Sequence, residues 1–190
     1  MAIDIKEMFA DCFLELLEKQ SLSTITIQTL LDQTGAARQT FYNHYQDKND
    51  LICYIYNTKI IHEFQDPMNI HFDFSKELLG SFRQMEKYHC FLEQALRMEE
   101  AGCLKDYIFQ HSCEFDMKWH QACYGDEKMP EELVFATKYH AIASNFMAIS
   151  WILSSMPTTC EDMVDMIVQM RSIGMDKLFV GSRAFNPYLK

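Results

Sequence analysis

Residues 25–51, ITIQTLLDQTGAARQTFYNHYQDKNDL, constrain the fold of this chain more than any other segment. Ile27, Leu30 and Leu31 have the i, i+3, i+4 spacing of one apolar face of a short amphipathic helix. Gly35 follows them, at a position where helices often end with a residue in the left-handed conformation. The segment therefore predicts a short helix that ends in a tight turn.

A second short helix is predicted directly after this turn, from about Ala37 to His44. Phe41 and Tyr45 are four residues apart and would share its buried side. Thr26 is a plausible N-cap of the preceding helix, since its hydroxyl can accept a bond from a free backbone N–H. Two short helices around a glycine-containing turn predict a helix-turn-helix, whose second helix can enter the DNA major groove.

The same residues carry a family resemblance. The DNA-binding signature of TetR-type bacterial transcriptional regulators is similar to the run Gly35-x-x-Arg38-x-Thr40-Phe41-Tyr42-x-His44-Tyr45-x-x-Lys48-x-x-Leu51. The resemblance implies a three-helix DNA-binding domain at residues 1–48 and a helical ligand-binding and dimerisation domain at residues 49–190. A linking helix at about residues 47–64 would join them, and about nine helices are expected in all.

Composition independently favours an all-α fold. Hydrophobic residues make up 48% of the 190-residue chain, which excludes a disordered protein. Only 6 Gly and 4 Pro interrupt it, and β-branched residues rarely alternate with polar ones. No apolar run reaches the length of a membrane span, and the first residues are acidic where a signal peptide is basic. We therefore expect a cytoplasmic protein with no membrane partner.

The helix boundaries follow from apolar periodicity and from helix-breaking residues. The first helix is predicted from about Ile3 to Lys19, and Asp66-Pro67-Met68-Asn69 is expected to separate the linking helix from the body. Body helices are predicted at Ser75–Tyr88, Phe91–Met98, Leu104–Tyr124, Glu131–Leu153 and after Pro157, with Thr158 or Thr159 as the last N-cap.

The predicted DNA-binding residues fall into two groups. Base-reading candidates at the start of the second helix are Arg38, Gln39 and Thr40. Arginine can bond bidentately to guanine, glutamine to adenine, and threonine can contact a base edge or a thymine methyl. The resemblance implies phosphate contacts, which fix register without reading sequence, for Thr26, Tyr42, His44 and Lys48.

Two features favour an alternative to DNA binding. The chain has a net charge of −10, and residues 1–50 contain more acidic than basic residues, whereas DNA binders usually have a basic surface. Ala37 opens the second helix where the family usually has a hydroxyl residue, which removes an N-cap bond. The alternative is a TetR-like helical adaptor that acts through a protein partner.

The last two long helices are the predicted homodimer interface. The resemblance implies that they pair with a second copy as a four-helix bundle, which suits a palindromic operator. Apolar residues at helical spacing in the last helix are Met163, Met166, Ile167, Met170 and Ile173. The same residues could equally be buried core.

A small-molecule site is predicted in the body, because the resembled family has an apolar pocket there. Candidate lining residues are Met85, Tyr88, His89, Phe109, Cys113, Met117, His140 and Asn145. Each of them alone is more often core than ligand contact. His140 and Asn145 are the stronger candidates, because a buried polar group without a bond is costly.

We expect neither an enzyme nor a metal or other cofactor. The seven cysteines are widely spaced without a C-x-x-C motif, which indicates reduced thiols in a cytosolic protein. His111-x-Cys113 and His120-x-x-Cys123 offer too few thiolates for a structural zinc site. A redox or metal sensor based on Cys113 or Cys123 remains a second alternative. The main prediction is a homodimeric, ligand-responsive repressor that binds double-stranded DNA.

Overall fold

The computed structural model describes residues 4–61, 64, 66–70, 72–99, 103–175, 177–179 and 187–188. These residues form nine α-helices and one short 3₁₀ turn at Leu22–Thr24, with no strand among them. The helices are α1 Ile5–Leu17, α2 Ile27–Thr34, α3 Arg38–Tyr42, α4 Lys48–Lys59, α5 Phe74–Lys87, α6 His89–Leu96, α7 Leu104–Tyr124, α8 Glu131–Leu153 and α9 Cys160–Met175. The all-α prediction is confirmed.

Most predicted helix boundaries agree with the structure to within two residues, and the exceptions have visible causes. The predicted start at Ile3 lies outside the described residues. Helix α4 ends at Lys59 instead of near Phe64. The N–H groups of Ile60 and Ile61 both donate to the carbonyl of Tyr56, so the helical bonding ladder stops advancing there.

Aspartate and threonine side chains cap several helices. Part of the negative charge of the chain therefore has a structural role at helix N-termini. Asp4 accepts bonds from the first-turn N–H groups of α1, and Asp47 does so for α4. Asp73 caps α5 in the same way, and Thr159 caps α9 through the N–H of Asp162. Such caps satisfy N–H groups that the helix itself leaves unpaired.

Helix α1 covers the helix-turn-helix, as its apolar periodicity predicts. Phe9 and Phe13 are fully buried, and the ring of Phe9 packs edge-on against Phe41 of α3 with centroids 5.2 Å apart. The hydroxyl of Tyr45 donates to the carbonyl of Lys6 at 2.9 Å. Aromatic packing of this kind fixes the orientation of α3 relative to α1.

The body is built from α5 to α9, with α7 packed against α8 and α5 against α9. Trp119 of α7 is fully buried and stacks on Phe74 of α5 with centroids 5.6 Å apart. The N-terminal helices are joined to the body by hydrogen bonds. The N–H of Leu22 donates to Oε1 of Gln94 at 2.8 Å, and Asn57 of α4 donates to the hydroxyl of Tyr107 on α7.

None of the helices described here is long and apolar enough to span a membrane.

Candidate nucleic-acid interface and body cavity

The turn between α2 and α3 depends on Gly35. Gly35 has φ 68°, a left-handed conformation, and its N–H donates to the carbonyl of Leu31 at 2.9 Å to close α2. A Cβ at this position would meet no atom within 4 Å, so glycine is needed here for its backbone conformation and not for space. The predicted role of Gly35 at the end of α2 is confirmed.

The polar side chains of α3 form hydrogen bonds with neighbours four residues along the helix surface. Arg38 and Gln39 are exposed and Thr40 is half-buried. Arg38 donates to the hydroxyl of Tyr42 at 3.3 Å, and its guanidinium lies 5.4 Å from the centre of that ring. Gln39 donates to the side chain of Asn43 at 2.9 Å. Both hydrogen bonds lie within α3 and its last turn, which leaves the polar side of the helix accessible to a partner.

Asn43 is a surface residue that the sequence analysis did not predict. Its position four residues after Gln39 could have placed it on this surface, since residues i and i+4 are neighbours on a helix surface.

Ala37 precedes α3 with an extended backbone and makes no side-chain cap bond. The residue is exposed, and its carbonyl accepts the N–H of Thr40 at 2.9 Å. Thr26 shows the contrast at the start of α2, where its hydroxyl accepts the N–H of Thr29 at 3.1 Å. The N-cap prediction for Thr26 is confirmed, and α3 begins without such a bond.

Lys48 has a structural role that the sequence did not reveal. Its ammonium donates to the carbonyls of Leu22 and Ile25 at 3.3 Å and 3.2 Å. The first turn of α4 is thereby attached to the segment that leads into α2. His44, the other basic side chain that the family resemblance assigned to phosphate, is half-buried at the end of the α3 turn.

The acidic residues of α1 are partly neutralised within the protein. Lys59 of α4 donates to Glu7, and to Asp11 at 3.2 Å. Together with the capping aspartates, these contacts give several of the N-terminal acids a structural function. Part of the negative charge of this region is therefore balanced by Lys59 or used in helix capping.

A cavity of about 80 Å³ lies between α4, α5, α7, α8 and α9. Its walls are mainly apolar, with Tyr56, Phe82, Met85 and Ile108 among them. Polar side chains also line it: Ser81, His111, Ser112, Asp116, Ser144, Asn145 and Arg171. An apolar pocket with a few polar groups is typical of a small-molecule site.

Two of the eight predicted ligand-binding residues, Met85 and Asn145, line this cavity. The other six do not line it: Tyr88, His89, Phe109, Cys113, Met117 and His140. Tyr88 ends α5, and His140 packs against α9 beside Gly174. Sequence periodicity identifies the buried side of a helix but not which part of that side faces a cavity.

A buried polar network adjoins the cavity. Arg171 of α9 donates to Asp116 of α7 at 2.7 Å, to Ser144 of α8 at 3.0 Å and to the hydroxyl of Tyr188 at 3.2 Å. Burial opposes the charge on Arg171, but the carboxylate of Asp116 outweighs it and raises the pKa of the guanidinium. Burial raises the pKa of the Asp116 carboxyl, and the Arg171 guanidinium opposes that rise, so each charge stabilises the other.

The network continues through His120, which is fully buried. Its Nε2 lies 2.7 Å from the Tyr188 hydroxyl and its Nδ1 lies 2.8 Å from that of Thr137. Burial lowers the pKa of His120 well below its usual value, and the positive charges of Arg171 and His140 lower it further. His120 is therefore neutral at pH 7.

An exposed apolar stripe runs along α8 and α9. On α8 it consists of Phe135, Tyr139, Ile142, Phe146 and Met147, and on α9 of Met166, Met170 and Ile173. Two residues of the predicted interface, Met163 and Ile167, are instead buried in the core. Large apolar side chains this exposed, and this close together, usually mark an interaction surface.

The cysteines offer little support for a sensor. All seven are free thiols, and burial raises the pKa of Cys123 to about 12 and also raises that of Cys113. A protonated thiol is a poor nucleophile and a poor metal ligand. In the part of the chain that the structure describes, no three His, Cys, Asp or Glu side chains are grouped so that they could hold a metal ion.

The chain resembles solved structures across nearly its whole length. It matches the dihydroxyacetone kinase operon activator DhaS with a TM-score of 0.68 and 17% identity, covering 93% of this chain and 99% of that one. It matches a putative TetR-family transcriptional regulator from Syntrophomonas wolfei str. Goettingen with a TM-score of 0.58 and 16% identity, covering 93% and 98%.

A TetR transcriptional regulator from Rhodococcus sp. RHA1 gives a TM-score of 0.59 and 13% identity, over 92% and 97% of the two chains. No sequence-family profile matches this chain, and no curated protein sequence does. At identities this low the similarity is one of architecture, and it agrees with the expectation from residues 35–51. The chain has the fold of TetR-type transcriptional regulators.

Proposed function

We propose that this protein is a DNA-binding transcriptional regulator that reads its operator with α3. The observation that carries the proposal is the polar surface of Arg38, Gln39 and Thr40 at the N-terminal end of α3. This surface belongs to a helix-turn-helix on a TetR-type scaffold, in which the second helix is suited to the major groove.

The chemistry of each side chain determines whether it is assigned to a base contact or to a phosphate contact. Arg38, Gln39 and Thr40 would contact bases. Phosphate contacts would come from Thr26, Tyr42, His44 and Lys48, as the family resemblance implies. An ammonium has three N–H donors, so Lys48 can bond two carbonyls and still reach a phosphate oxygen.

A homodimer would place two such surfaces on one operator. The exposed stripe on α8 and α9 supports pairing through these helices, because its aromatic and aliphatic side chains would be buried against a second copy. Two-fold symmetry then predicts a palindromic operator with half-sites about one helical turn apart, roughly 34–36 Å.

A small effector in the body cavity would control DNA binding. Tyr56 belongs to α4, the helix that follows the DNA-binding unit, and it lines the cavity directly. His111 also lines the cavity and stacks on Tyr107, which accepts a bond from Asn57 of α4. An effector that favours one position of α4 would change operator affinity by the difference in its affinities for the two states.

We infer repression as the mode of action, with release by the effector. The similarity to an operon activator makes activation the outcome to test against it. Transcription from a reporter promoter carrying the selected operator, measured with and without the protein, distinguishes the two.

The first experiment is selection from a random-sequence DNA pool, followed by fluorescence anisotropy on the enriched sequence over a salt series. Arg38 and Lys48 supply four positive charges per dimer, so we expect a shallow log–log slope of about −3.6. Arg38→Ala combined with Tyr42→Phe should abolish selective binding. Arg97→Ala, which removes an exposed arginine directly after α6, is the matched control and should bind normally.

The alternative, a helical adaptor for a protein partner, gives a different result. No sequence would then be enriched even at low salt, and the double variant at Arg38 and Tyr42 would leave the protein's activity unchanged. Enrichment that is lost in the double variant, but not in Arg97→Ala, would exclude the adaptor.

A further inference from the structure

Ser81 of α5 presents an unsatisfied hydroxyl to the body cavity. Its side chain is 1% exposed, and its oxygen has no hydrogen-bond partner. Buried hydroxyls are nearly always bonded, because leaving one unpaired costs free energy. Ser81 lines the cavity, so a molecule that occupies it can provide the missing partner.

The cavity has no unbalanced charge to offer a ligand. Asp116 and Arg171, the charged residues of its lining, form a direct ion pair at 2.7 Å. His111 and Tyr56 also line the cavity, and burial lowers the pKa of His111 and raises that of Tyr56, so burial favours the neutral form of both side chains. A charged ligand would lose its hydration without gaining a counter-ion, which strongly disfavours binding. The lining therefore selects a neutral molecule.

The size and walls of the cavity set further limits. A volume of about 80 Å³ accommodates roughly five to eight non-hydrogen atoms. Phe82, Met85 and Ile108 supply apolar contacts, and Tyr56 adds an aromatic face. Such walls favour a compact apolar body over a polyhydroxylated one.

We propose that the cavity binds a small neutral molecule, mostly apolar, whose single hydroxyl or carbonyl oxygen hydrogen-bonds to Ser81. The inference rests on the proposed function, because it takes this cavity as the effector site. It adds the chemical class of the effector and the residue that recognises its polar group.

Phenol is a suitable probe, because it has seven non-hydrogen atoms and is neutral at pH 7. Benzylammonium has the same ring with a positive charge and only eight non-hydrogen atoms, and benzene has the ring without the oxygen. Isothermal titration of the 190-residue chain should show saturable phenol binding at one site per protomer, weaker binding of benzene and none of benzylammonium. Benzylammonium binding as tight as phenol binding, or no saturable phenol binding, overturns the proposal.

Two substitutions test the assigned contact. Ser81→Ala should weaken phenol binding about five- to tenfold and leave benzene binding unchanged, while the melting temperature without ligand stays the same or rises. Ser75→Ala makes the same change on the same helix away from the cavity and should leave phenol binding unchanged. Equal phenol affinity in Ser81→Ala and the unsubstituted protein refutes the role of Ser81.

A second variant keeps the test independent of Ser81. Ala148 lines the cavity from α8, and Ala148→Leu would fill part of it. This variant should lose both phenol and benzene binding. Retention of both would place the binding site elsewhere and overturn the proposal.

Binding is measured without DNA, so the two proposals can fail separately. A protein that selects an operator but does not bind phenol keeps the proposed function and loses this inference. A protein that binds phenol through Ser81 but selects no DNA keeps the ligand class and loses the proposed function.

Discussion

Arg171 and Asp116 form an ion pair between α9 and α7, with an N–O distance of 2.7 Å and only 4% and 3% of the two residues exposed. Breaking such a pair from one side leaves a buried charge without a partner, which costs more than replacing both residues. Arg171→Met should therefore lower the free energy of unfolding by about 3–5 kcal/mol. Urea denaturation at pH 7 measures this loss.

The double variant Asp116→Leu with Arg171→Met is the matched control. It removes both charges and should be more stable than Arg171→Met alone. A double variant that is less stable than either single variant would show that the pair stabilises the body by more than mutual neutralisation.

Two glycines give a paired test of backbone conformation. Gly35 has φ 68°, so Gly35→Ala should destabilise the protein by about 1–2 kcal/mol through left-handed strain alone. Gly80 lies within helix α5 with open space around its Cα, so Gly80→Ala should stabilise it by about 0.5–1 kcal/mol. Thermal unfolding of both variants checks the opposite signs. Equal effects at the two positions would contradict the role assigned to Gly35.

The proposed dimer interface is the exposed stripe on α8 and α9, so a charged substitution within this stripe should change the oligomeric state. Phe146 and Ile173 are 61% and 66% exposed in the single chain. A glutamate at either position would place a charge inside the proposed dimer interface, so the Phe146→Glu variant should be monomeric. Light scattering coupled to gel filtration measures the mass.

Met68→Glu is the control for this prediction, because Met68, at 69% exposed, is at least as accessible as Phe146 but lies outside α8 and α9. It should remain dimeric. A monomeric unsubstituted protein, or a dimeric Phe146→Glu variant, would refute pairing through this stripe.

The sequence predicted the helix-turn-helix better than the body cavity, for a physical reason. The conformation at Gly35 and the caps at Thr26 and Asp47 depend on neighbouring residues, so local spacing is enough to identify them. Ser81 and Arg171 line the same cavity only after α5 and α9 pack together, and nothing in either local pattern indicates that they do. Serine and arginine in an amphipathic helix are normally assigned to the solvent side.

The same distinction explains the interface residues. Apolar residues repeat around α9, so periodicity alone could not separate Met163 and Ile167, which are buried, from Met166 and Met170, which are exposed. The rotation of α9 about its axis is set by its packing against α5 and by the buried guanidinium of Arg171.

The burial of His120 in a neutral form predicts that the protein loses stability in mild acid. Its pKa is lowered in the folded protein by burial and by the nearby charges of Arg171 and His140. The unfolded chain therefore binds this proton first as the pH falls below about 6.5. The free energy of unfolding should be independent of this group above that pH and should decrease below it.

His120→Gln should reduce the dependence of stability on pH between about 7.5 and 5.5. Urea denaturation at the two pH values measures the difference, and His89→Gln, at an exposed position on α6, is the control. An unchanged pH dependence in His120→Gln would show that other groups cause the acid sensitivity.

Ala37 is a site where one substitution should improve both stability and DNA binding. Its backbone has the extended conformation of an N-cap, φ −71° and ψ 148°, but its methyl group cannot accept a bond. Ala37→Ser would place a hydroxyl near the backbone N–H groups of Gln39 and Thr40, the second of which already donates to the carbonyl of Ala37, and this added acceptor should stabilise α3 by about 0.5–2 kcal/mol. Thermal unfolding measures this gain, and Thr26→Ala should show the opposite change, because it removes the corresponding cap of α2.

If the added hydroxyl also contacts a phosphate, as the family resemblance implies, operator affinity should rise in the anisotropy assay. A gain in stability without a gain in affinity would limit position 37 to capping α3, and no gain in stability would contradict the capping argument itself.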